Sequence, residues 1–236
     1  MLNTIHNENC LETMAKMSDD LIDLVLTSPP YDNLKEYEGY EFDFEATAKE
    51  LYRVTKNVLV WIVGDATIKG SETGSSFRQA LYFMSLGFKL HDTMIYEKNS
   101  STYPASKTGN RYSQIFEFMF VFTKAEVPKQ LICDKPNKWA GYKDFSGKLK
   151  NPVPDFSPRN NIWKYTTSFN GVKHPAPFPE ALAKDHILSW SKETDIVYDP
   201  FIGSGTTAKM AKETGRNFIG SEISSKYVEI ALDRLL

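Results

Sequence analysis

The stretch "DIVYDPFIGSGTTAKMAKETGRNFIGSE", beginning at Asp195, constrains the fold more than any other part of the chain. An apolar run, Ile196–Tyr198, enters a loop holding Gly203 and Gly205. A segment with helical periodicity, Thr206–Thr214, follows and ends at Gly215. A second apolar run, Asn217–Gly220, leads to Glu222. Strand, glycine loop, helix and strand make a βαβ unit, which demands parallel strands and a crossover helix. The same alternation fills most of the chain. Strands are expected at Leu21–Leu26, Val58–Val63, Thr93–Tyr96 and Glu117–Phe122. Helices are expected at Phe44–Thr55, Ser76–Leu86, Pro179–Trp190 and Ser225–Leu235. The fold class is therefore α/β with a mostly parallel sheet.

One region breaks the alternation. Between Val127 and Phe178 the chain is dense in Pro, Lys, Asn, Gly and aromatics and has no sustained period, so it reads as an irregular insert. Its charge also differs. Lys124 to His174 holds ten Lys/Arg and four Asp/Glu, a balance of +6, whereas the whole chain carries −2, leaving −8 elsewhere. Such a segment suits phosphates, although a solvated lysine-rich surface has the same composition. No apolar run reaches the roughly 18 residues of a membrane span. The start, "MLNTIHNENC", has neither the basic region nor the apolar core of a secretory signal. A cytoplasmic protein without a membrane role is expected. Cys10 and Cys133 lie far apart and outside any CxxC pair, which argues against a zinc site or a disulfide framework.

The glycine loop indicates the ligand. Gly203 and Gly205 allow close backbone approach, and the following helix start offers free N–H groups. Glu222 lies about 20 residues past the loop, where a carboxylate can take both hydroxyls of a ribose. A phosphate P-loop would need Lys-Ser/Thr after the second glycine, but Thr206 and Thr207 stand there. A dinucleotide loop would start directly after the strand, but Asp199-Pro200-Phe201 intervenes. S-adenosylmethionine fits better. Its ribose suits Glu222, its charged tail suits loop backbone and Asp199, and its sulfonium suits the face of Phe201.

A second feature is "DLVLTSPPYDNLKEY", from Asp23. A buried strand ends on two prolines, which fix φ and give the sheet no donor. Ser28 and Tyr31 are left on a stiff turn. Alone, that is a strand terminator.

The two motifs together, "TSPPY" and "DPFIGSGTT", resemble the amino-methyltransferases of DNA. These methylate an exocyclic base nitrogen with S-adenosylmethionine. The order of tetrapeptide, basic insert and glycine loop is similar to the circularly permuted β class, and the likeness covers nearly the whole chain. It implies a Rossmann-like fold with a seven-stranded, mostly parallel sheet and a small recognition insert. The corresponding segments are 1–126 for the target-base half, 127–173 for the insert and 174–236 for the cofactor half. It implies double-stranded DNA as partner, with a homodimer and a cognate restriction endonuclease as further partners, and no metal. "HPAPFPEAL" resembles the segment that meets the cofactor's methionine part, which brings in His174 and Phe178. "IHNENCLETM" resembles the family's opening Gly-Asp-Cys, with Asn9 in the place of the acid that binds adenine and Cys10 after it. An amide oxygen can still accept from an adenine amino group. Thr27, Pro200, Ser204, Thr206 and Thr207 complete the implied cofactor set. The permutation implies that the last helix, Ser225–Leu235, lies beside the strand opening near Thr4.

The resemblance also implies a mechanism. Ser28 and the Pro29 carbonyl would accept the amino hydrogens, Pro30 would stiffen the turn, and Tyr31 would stack on a base extruded from the duplex. Asn99, Tyr103 and Pro104 fall where family members close the other side of the base pocket, and Tyr37 and Tyr40 are either base- or backbone-contacting loop aromatics or simple packing residues. Lys107, Arg111, Lys135, Lys138, Lys143, Lys148, Lys150 and Arg159 would meet phosphates. Trp139, Tyr142 and Trp163 are either groove-reading aromatics or the insert's own small core. In the family, Ser-Pro-Pro-Tyr mostly accompanies cytosine N4 and Asp- or Asn-Pro-Pro-Tyr mostly adenine N6. Cytosine N4 is the expectation and adenine N6 the alternative. RNA and protein-glutamine methyltransferases share related tetrapeptides but normally place the glycine loop first. A non-catalytic nucleic-acid-binding protein of the same fold is the remaining alternative.

Overall fold

The computed structural model describes residues 1–30, 42–99, 111–125, 130–143, 151–166 and 179–236. The chain opens with β1 (Thr4–His6), α1 (Cys10–Ala15), β2 (Ile22–Thr27), α2 (Phe44–Val54) and β3 (Thr55–Val63). A small antiparallel pair, β4 (Thr67–Ile68) and β5 (Ser71–Glu72), precedes α3 (Ser75–Leu86), β6 (Lys89–Lys98) and β7 (Phe116–Thr123). The insert contributes β8 (Cys133–Pro136), β9 (Phe156–Pro158) and β10 (Ile162–Tyr165). Then come α4 (Glu180–Trp190), β11 (Ile196–Asp199), α5 (Thr206–Glu213), β12 (Asn217–Ser221) and α6 (Ser225–Asp233). Every strand and helix expected outside the insert is present, most within about two residues at each end, but β3 starts three residues and β6 four residues before the expected Val58 and Thr93.

The main sheet runs β1-β12-β11-β2-β3-β7-β6-β10. Only β7 is antiparallel to its neighbours. Side chains alternate across this sheet as the pleat requires. Leu24, Leu26, Val58, Val60 and Ile62 point to one face, under buried residues of α4, α5 and α6. Val25, Leu59, Trp61 and Val63 point to the other, against α1, α2 and α3. Each helix covers the sheet with its apolar stripe, such as Ala48, Leu51 and Val54 of α2.

Two expectations change here. The sheet has eight strands instead of seven, and the insert is only partly irregular. Seven of the sheet's strands come from segments 1–126 and 174–236. The eighth, β10, comes from the insert and pairs parallel with β6, matching Trp163 to Tyr96. It pairs the outer side of β6 and is itself the short edge strand of the sheet. Trp163 is only 5% exposed and joins the main core, so it belongs neither to a groove-reading surface nor to a separate core of the insert. The termini meet as the permutation requires. β1 pairs parallel with β12, Thr4 opposite Ile219, and α6 packs on β1.

A buried polar chain stiffens α4. Trp190 Nε1 donates to His186 Nδ1 at 3.1 Å, so His186 carries its proton on Nε2, 3.1 Å from Met119 Sδ. The Trp163 ring lies 4.7 Å from the imidazole. Burial keeps the ring neutral and pushes its pKa down from 6.5 to about 3. The unfolded chain therefore takes up a proton near its ordinary pKa that the folded chain refuses, and stability falls as pH drops through that window. His186→Leu is expected to cost on the order of 1–3 kcal/mol at neutral pH, because the Trp190 N–H loses its acceptor. It should also flatten the fall in stability between pH 6.5 and about 3, measured by urea unfolding. An unchanged slope would show that His186 does not set acid sensitivity.

Candidate active site

Strands β11 and β2 lie side by side and parallel, Val197 opposite Leu24. From β11 the chain turns outward to β12. From β2 it proceeds to β3 on the opposite side. Loops leaving two such strands diverge and open a crevice at their carboxyl ends, the place where open α/β sheets bind ligands. The Ser28–Pro30 turn follows β2 directly, and the Pro200–Gly205 loop follows β11. The two motifs, far apart in sequence, thus share one edge of the crevice. Ser28 is half-buried there and Pro29 is buried.

One carboxylate bolts the motifs together. Thr27 Oγ1 donates to Asp199 Oδ1 at 2.6 Å, Thr207 Oγ1 donates to Oδ2 at 2.7 Å, and the Phe201 N–H donates to Oδ1 at 3.0 Å. Asp199 is 2% exposed. Burial pushes its pKa up to about 6, against the pull of those three donors. Asp199 was expected to face the cofactor's charged tail. The structure shows Asp199, Thr27 and Thr207 all buried and bonded to one another, where they hold the two motifs together.

The loop beyond has the shape its glycines predict. Gly203 and Gly205 have φ of 49° and 82°, left-handed values that disfavour a side chain. Gly205 opens α5, and a Cβ there would lie 2.8 Å from the Ala231 Cβ of α6. Ser204, Thr206 and Pro200 are buried, and Phe201 is half-buried against Phe42 at 5.2 Å between ring centres. Glu222 stands at the end of β12, half-buried, facing the loop. Its Oε2 accepts the Gly203 N–H at 3.0 Å and its Oε1 the Ser224 N–H at 2.9 Å. Burial raises its pKa while these backbone donors lower it. The N-terminal strand is tied to the same place, since Asn7 Nδ2 donates to the Glu222 carbonyl at 2.9 Å.

Asn9 caps α1, its side-chain oxygen accepting the Leu11 N–H at 2.9 Å. Cys10 is 3% exposed, and burial pushes its thiol up to about 11. The Cys10 thiol, expected beside the cofactor, packs into the α1–α2 core. Sequence reasoning missed Arg234. Its Nη1 donates to the Ser204 carbonyl at 2.6 Å and to Thr206 Oγ1 at 3.2 Å, and its Nη2 reaches Glu180 Oε1 at 2.7 Å. It clamps the glycine loop from the last helix. No local pattern distinguishes it from any other arginine at the end of a helix.

The expected DNA contacts divide. Arg159 is withdrawn from that set, since it is bound by Asp134 at 2.5 Å and Asp185 at 2.7 Å, with Trp163 under its guanidinium at 5.2 Å. It fastens the insert to α4. Arg111 is engaged by Glu72 at 3.6 Å and by the Gly70 carbonyl. Lys135 donates to Asn160 Oδ1 at 2.9 Å and stays exposed, as do Lys138, Lys143 and Asn99. Trp139 and Tyr142 are 72% and 50% exposed, so they form no core for the insert. Tyr31, Tyr37, Tyr40, Tyr103, Pro104, Lys107, Lys148, Lys150, His174 and Phe178 lie outside the described residues.

A glycine cradle closed by a half-buried carboxylate fits the adenosine part of S-adenosylmethionine, because the carboxylate can exchange its backbone donors for ribose hydroxyls. The family model described as DNA methylase, that of the N6/N4 methyltransferases, matches residues 22–233. The chain belongs to that family. It is 55% identical to the orphan methyltransferase M.BamHII of Bacillus amyloliquefaciens, over 93% of this chain and 90% of that one. It is 29% identical to the type II methyltransferase M.BglII of Bacillus subtilis, over 98% and 68% of the two chains. Among solved structures it is similar to the cytosine-N4-specific PvuII DNA methyltransferase, with TM-score 0.75 and 24% identity over 99% and 86%. It is also similar to M1.HpyAVI in its SAM complex, with TM-score 0.65 and 22% identity over 98% of each chain. The protein is an S-adenosylmethionine-dependent DNA amino-methyltransferase with the Rossmann-like fold of the permuted class.

The bolt at Asp199 gives this methylase a measurable signature. The folded chain holds a proton up to about pH 6 that an unfolded aspartate releases near 3.8. This group therefore makes stability fall as pH rises through that interval. Asp199→Asn keeps an acceptor for Thr27 and Phe201 and removes the charge. The variant is expected to gain stability relative to the parent between pH 4 and about 6 in urea unfolding. Parallel curves for the two proteins would refute the contribution of the buried charge.

Proposed function

We propose that this methylase transfers the methyl group to the exocyclic N4 of cytosine in duplex DNA, after the base is turned out of the helix. The observation that carries the proposal is Ser28, which follows β2 at the crevice beside the glycine loop. An exocyclic amine is a poor nucleophile because its lone pair is delocalised into the ring. Ser28 Oγ and the Pro29 carbonyl accept its two hydrogens, which turns the nitrogen towards sp³ and aims the lone pair. Pro29 and Pro30 keep those acceptors from moving. Tyr31 stacks on the extruded base. S-adenosylmethionine supplies, when bound, an electrophilic methyl on a sulfonium centre. Glu222 would hold the ribose hydroxyls, the Gly203–Gly205 backbone would follow the ligand closely, Phe201 would offer its ring face to the sulfonium, and Asn9 would accept from the adenine amino group. His174 and Phe178 take the methionine part. Asp199, Thr27 and Arg234 hold the parts that hold the ligand. A neutral, short serine in place of an acid or amide supports cytosine; adenine N6 is the alternative.

Residues 1–126 supply the base site, 127–173 the DNA-facing insert and 174–236 the cofactor half. A homodimer is supported by the outer face of α3, where Phe77, Leu81 and Met84 are exposed at helical spacing. A role without a cognate endonuclease is supported by the name of the orphan relative M.BamHII. Among the described residues no helix is long and apolar enough to cross a membrane, and we place the work of the enzyme on DNA in the cytoplasm.

Mass spectrometry of nucleosides from plasmid DNA treated with enzyme and S-adenosylmethionine is expected to show N4-methylcytosine. Only N6-methyladenine would overturn the assignment. Ser28→Ala is expected to lower kcat on the order of a hundredfold with cofactor Kd unchanged in calorimetry, the size of effect seen when one polar partner of a transition state is lost. Undiminished methylation would remove the hydroxyl from the mechanism.

A further inference from the structure

The structure assigns a DNA-reading role to an aromatic pair on the insert, Trp139 and Tyr142, flanked by Lys135, Lys138 and Lys143. The inference rests on the reading that residues 127–173 face DNA. Trp139 is 72% exposed and Tyr142 50%, and their rings lie 6.4 Å apart. Exposure of two large rings is costly unless something covers them, and a partner is the usual cover. The turn that displays them is built to hold them out. Tyr142 N donates to the Trp139 carbonyl at 3.0 Å, and Ala140 N to the Asn137 carbonyl at 3.3 Å. Gly141 N and the Val153 carbonyl pair at 2.9 Å, as do Val153 N and the Tyr142 carbonyl, and Asn137 N and the Asp155 carbonyl. Gly141 takes the left-handed φ of 76° that the turn needs. Rigid aromatics are cheap to bury on a partner, because little side-chain freedom is lost.

The charge around the pair selects the partner. Lys138 and Lys143 are exposed and form no ion pair with a carboxylate among the described residues, and Lys135 meets only an amide. Of the two acids on the paired segments, Asp134 is neutralised by Arg159, which leaves Asp155 against three lysines. Three exposed lysines close in sequence to two exposed rings suit a partner with both phosphates and bases. They do not suit a second copy of the chain, whose matching patch would carry the same sign. The anchor is equally telling. Arg159, between Asp134 and Asp185, fixes β8 and β9 to α4, so the turn is held in one orientation relative to the catalytic body. The surface takes duplex DNA, with Lys138 and Lys143 on phosphates and Trp139 and Tyr142 against base edges or an opened step.

The test uses the full chain, a fluorescein-labelled random-sequence duplex of about three helical turns, and methyl transfer to plasmid DNA. Trp139→Ala is expected to lower kcat/KM for plasmid DNA by about tenfold or more, while calorimetric S-adenosylmethionine binding is unchanged. Trp139→Phe should restore most of it. Lys138→Gln and Lys143→Gln should each reduce the slope of log Kd for the duplex against log salt by about 1. A Trp139→Ala enzyme with parental kcat/KM and parental salt slopes in the lysine variants would overturn the inference. So would a loss of dimer in ultracentrifugation at unchanged duplex affinity, which would make the patch an interface between copies. Transfer to adenine alone would overturn the cytosine assignment and leave this inference standing, so the two failures are distinguishable.

Discussion

The buried carboxylate of Asp199 is the contact on which the site depends. It accepts Thr27 from β2, Thr207 from α5 and the Phe201 N–H from the glycine loop. Thr27 is the last residue of β2, and Ser28 follows it. The position of the base-facing turn is therefore set by a group of the cofactor half. Burying a charge is expensive, and here three donors offset the cost. What the fold gains is a fixed spacing between a turn that would hold the amine and a loop that would hold the methyl donor. In-line transfer is sensitive to errors of an ångström in that spacing.

The rest of the cofactor half is arranged around the same loop. Gly205 meets Ala231 so closely that no side chain fits between α5 and α6. Gly220 is likewise covered by Ile202, whose Cδ1 would lie 2.3 Å from an added Cβ. Arg234 clamps the loop from the end of α6, and Glu180 of α4 holds Arg234 at 2.7 Å and Lys209 at 2.8 Å. Glu222 faces the loop from the end of β12 and is tied to the N-terminal segment through Asn7. The N-terminal strand and the cofactor half thus join at one edge of the sheet. This is the physical meaning of the permutation: the outer strand of the cofactor half is supplied by the N-terminus.

The insert is where sequence reasoning was weakest, because it lacks a period. Periodicity reports on long faces buried against one partner. A four-residue edge strand such as β10 buries one tryptophan and leaves too short a record to read. Charge was also misleading at Arg159, whose basic neighbourhood suggested phosphate while two distant acids had already claimed it. The reverse holds for Trp139 and Tyr142. Composition made them core candidates, and only the turn's backbone hydrogen bonds show that they are held outward.

The sequence by itself determined the α/β class, the strand and helix order outside the insert, the two motifs and their permuted order. These are local properties, written in side-chain period, glycine and proline, and they need no knowledge of what packs where. Only the tertiary structure decided which polar groups face a ligand and which face one another. Asp199 and Arg159 read as ligand contacts from their surroundings in sequence and Cys10 from the family resemblance; the first two are bonded to partners from elsewhere in the chain and the thiol is packed in the core. Arg234 shows the converse, a residue without any motif that closes on the loop from 30 residues away. Hydrogen bonds and ion pairs are satisfied across the fold wherever burial brings partners together, and that pairing is fixed by the approach of whole elements, which no short stretch of sequence records.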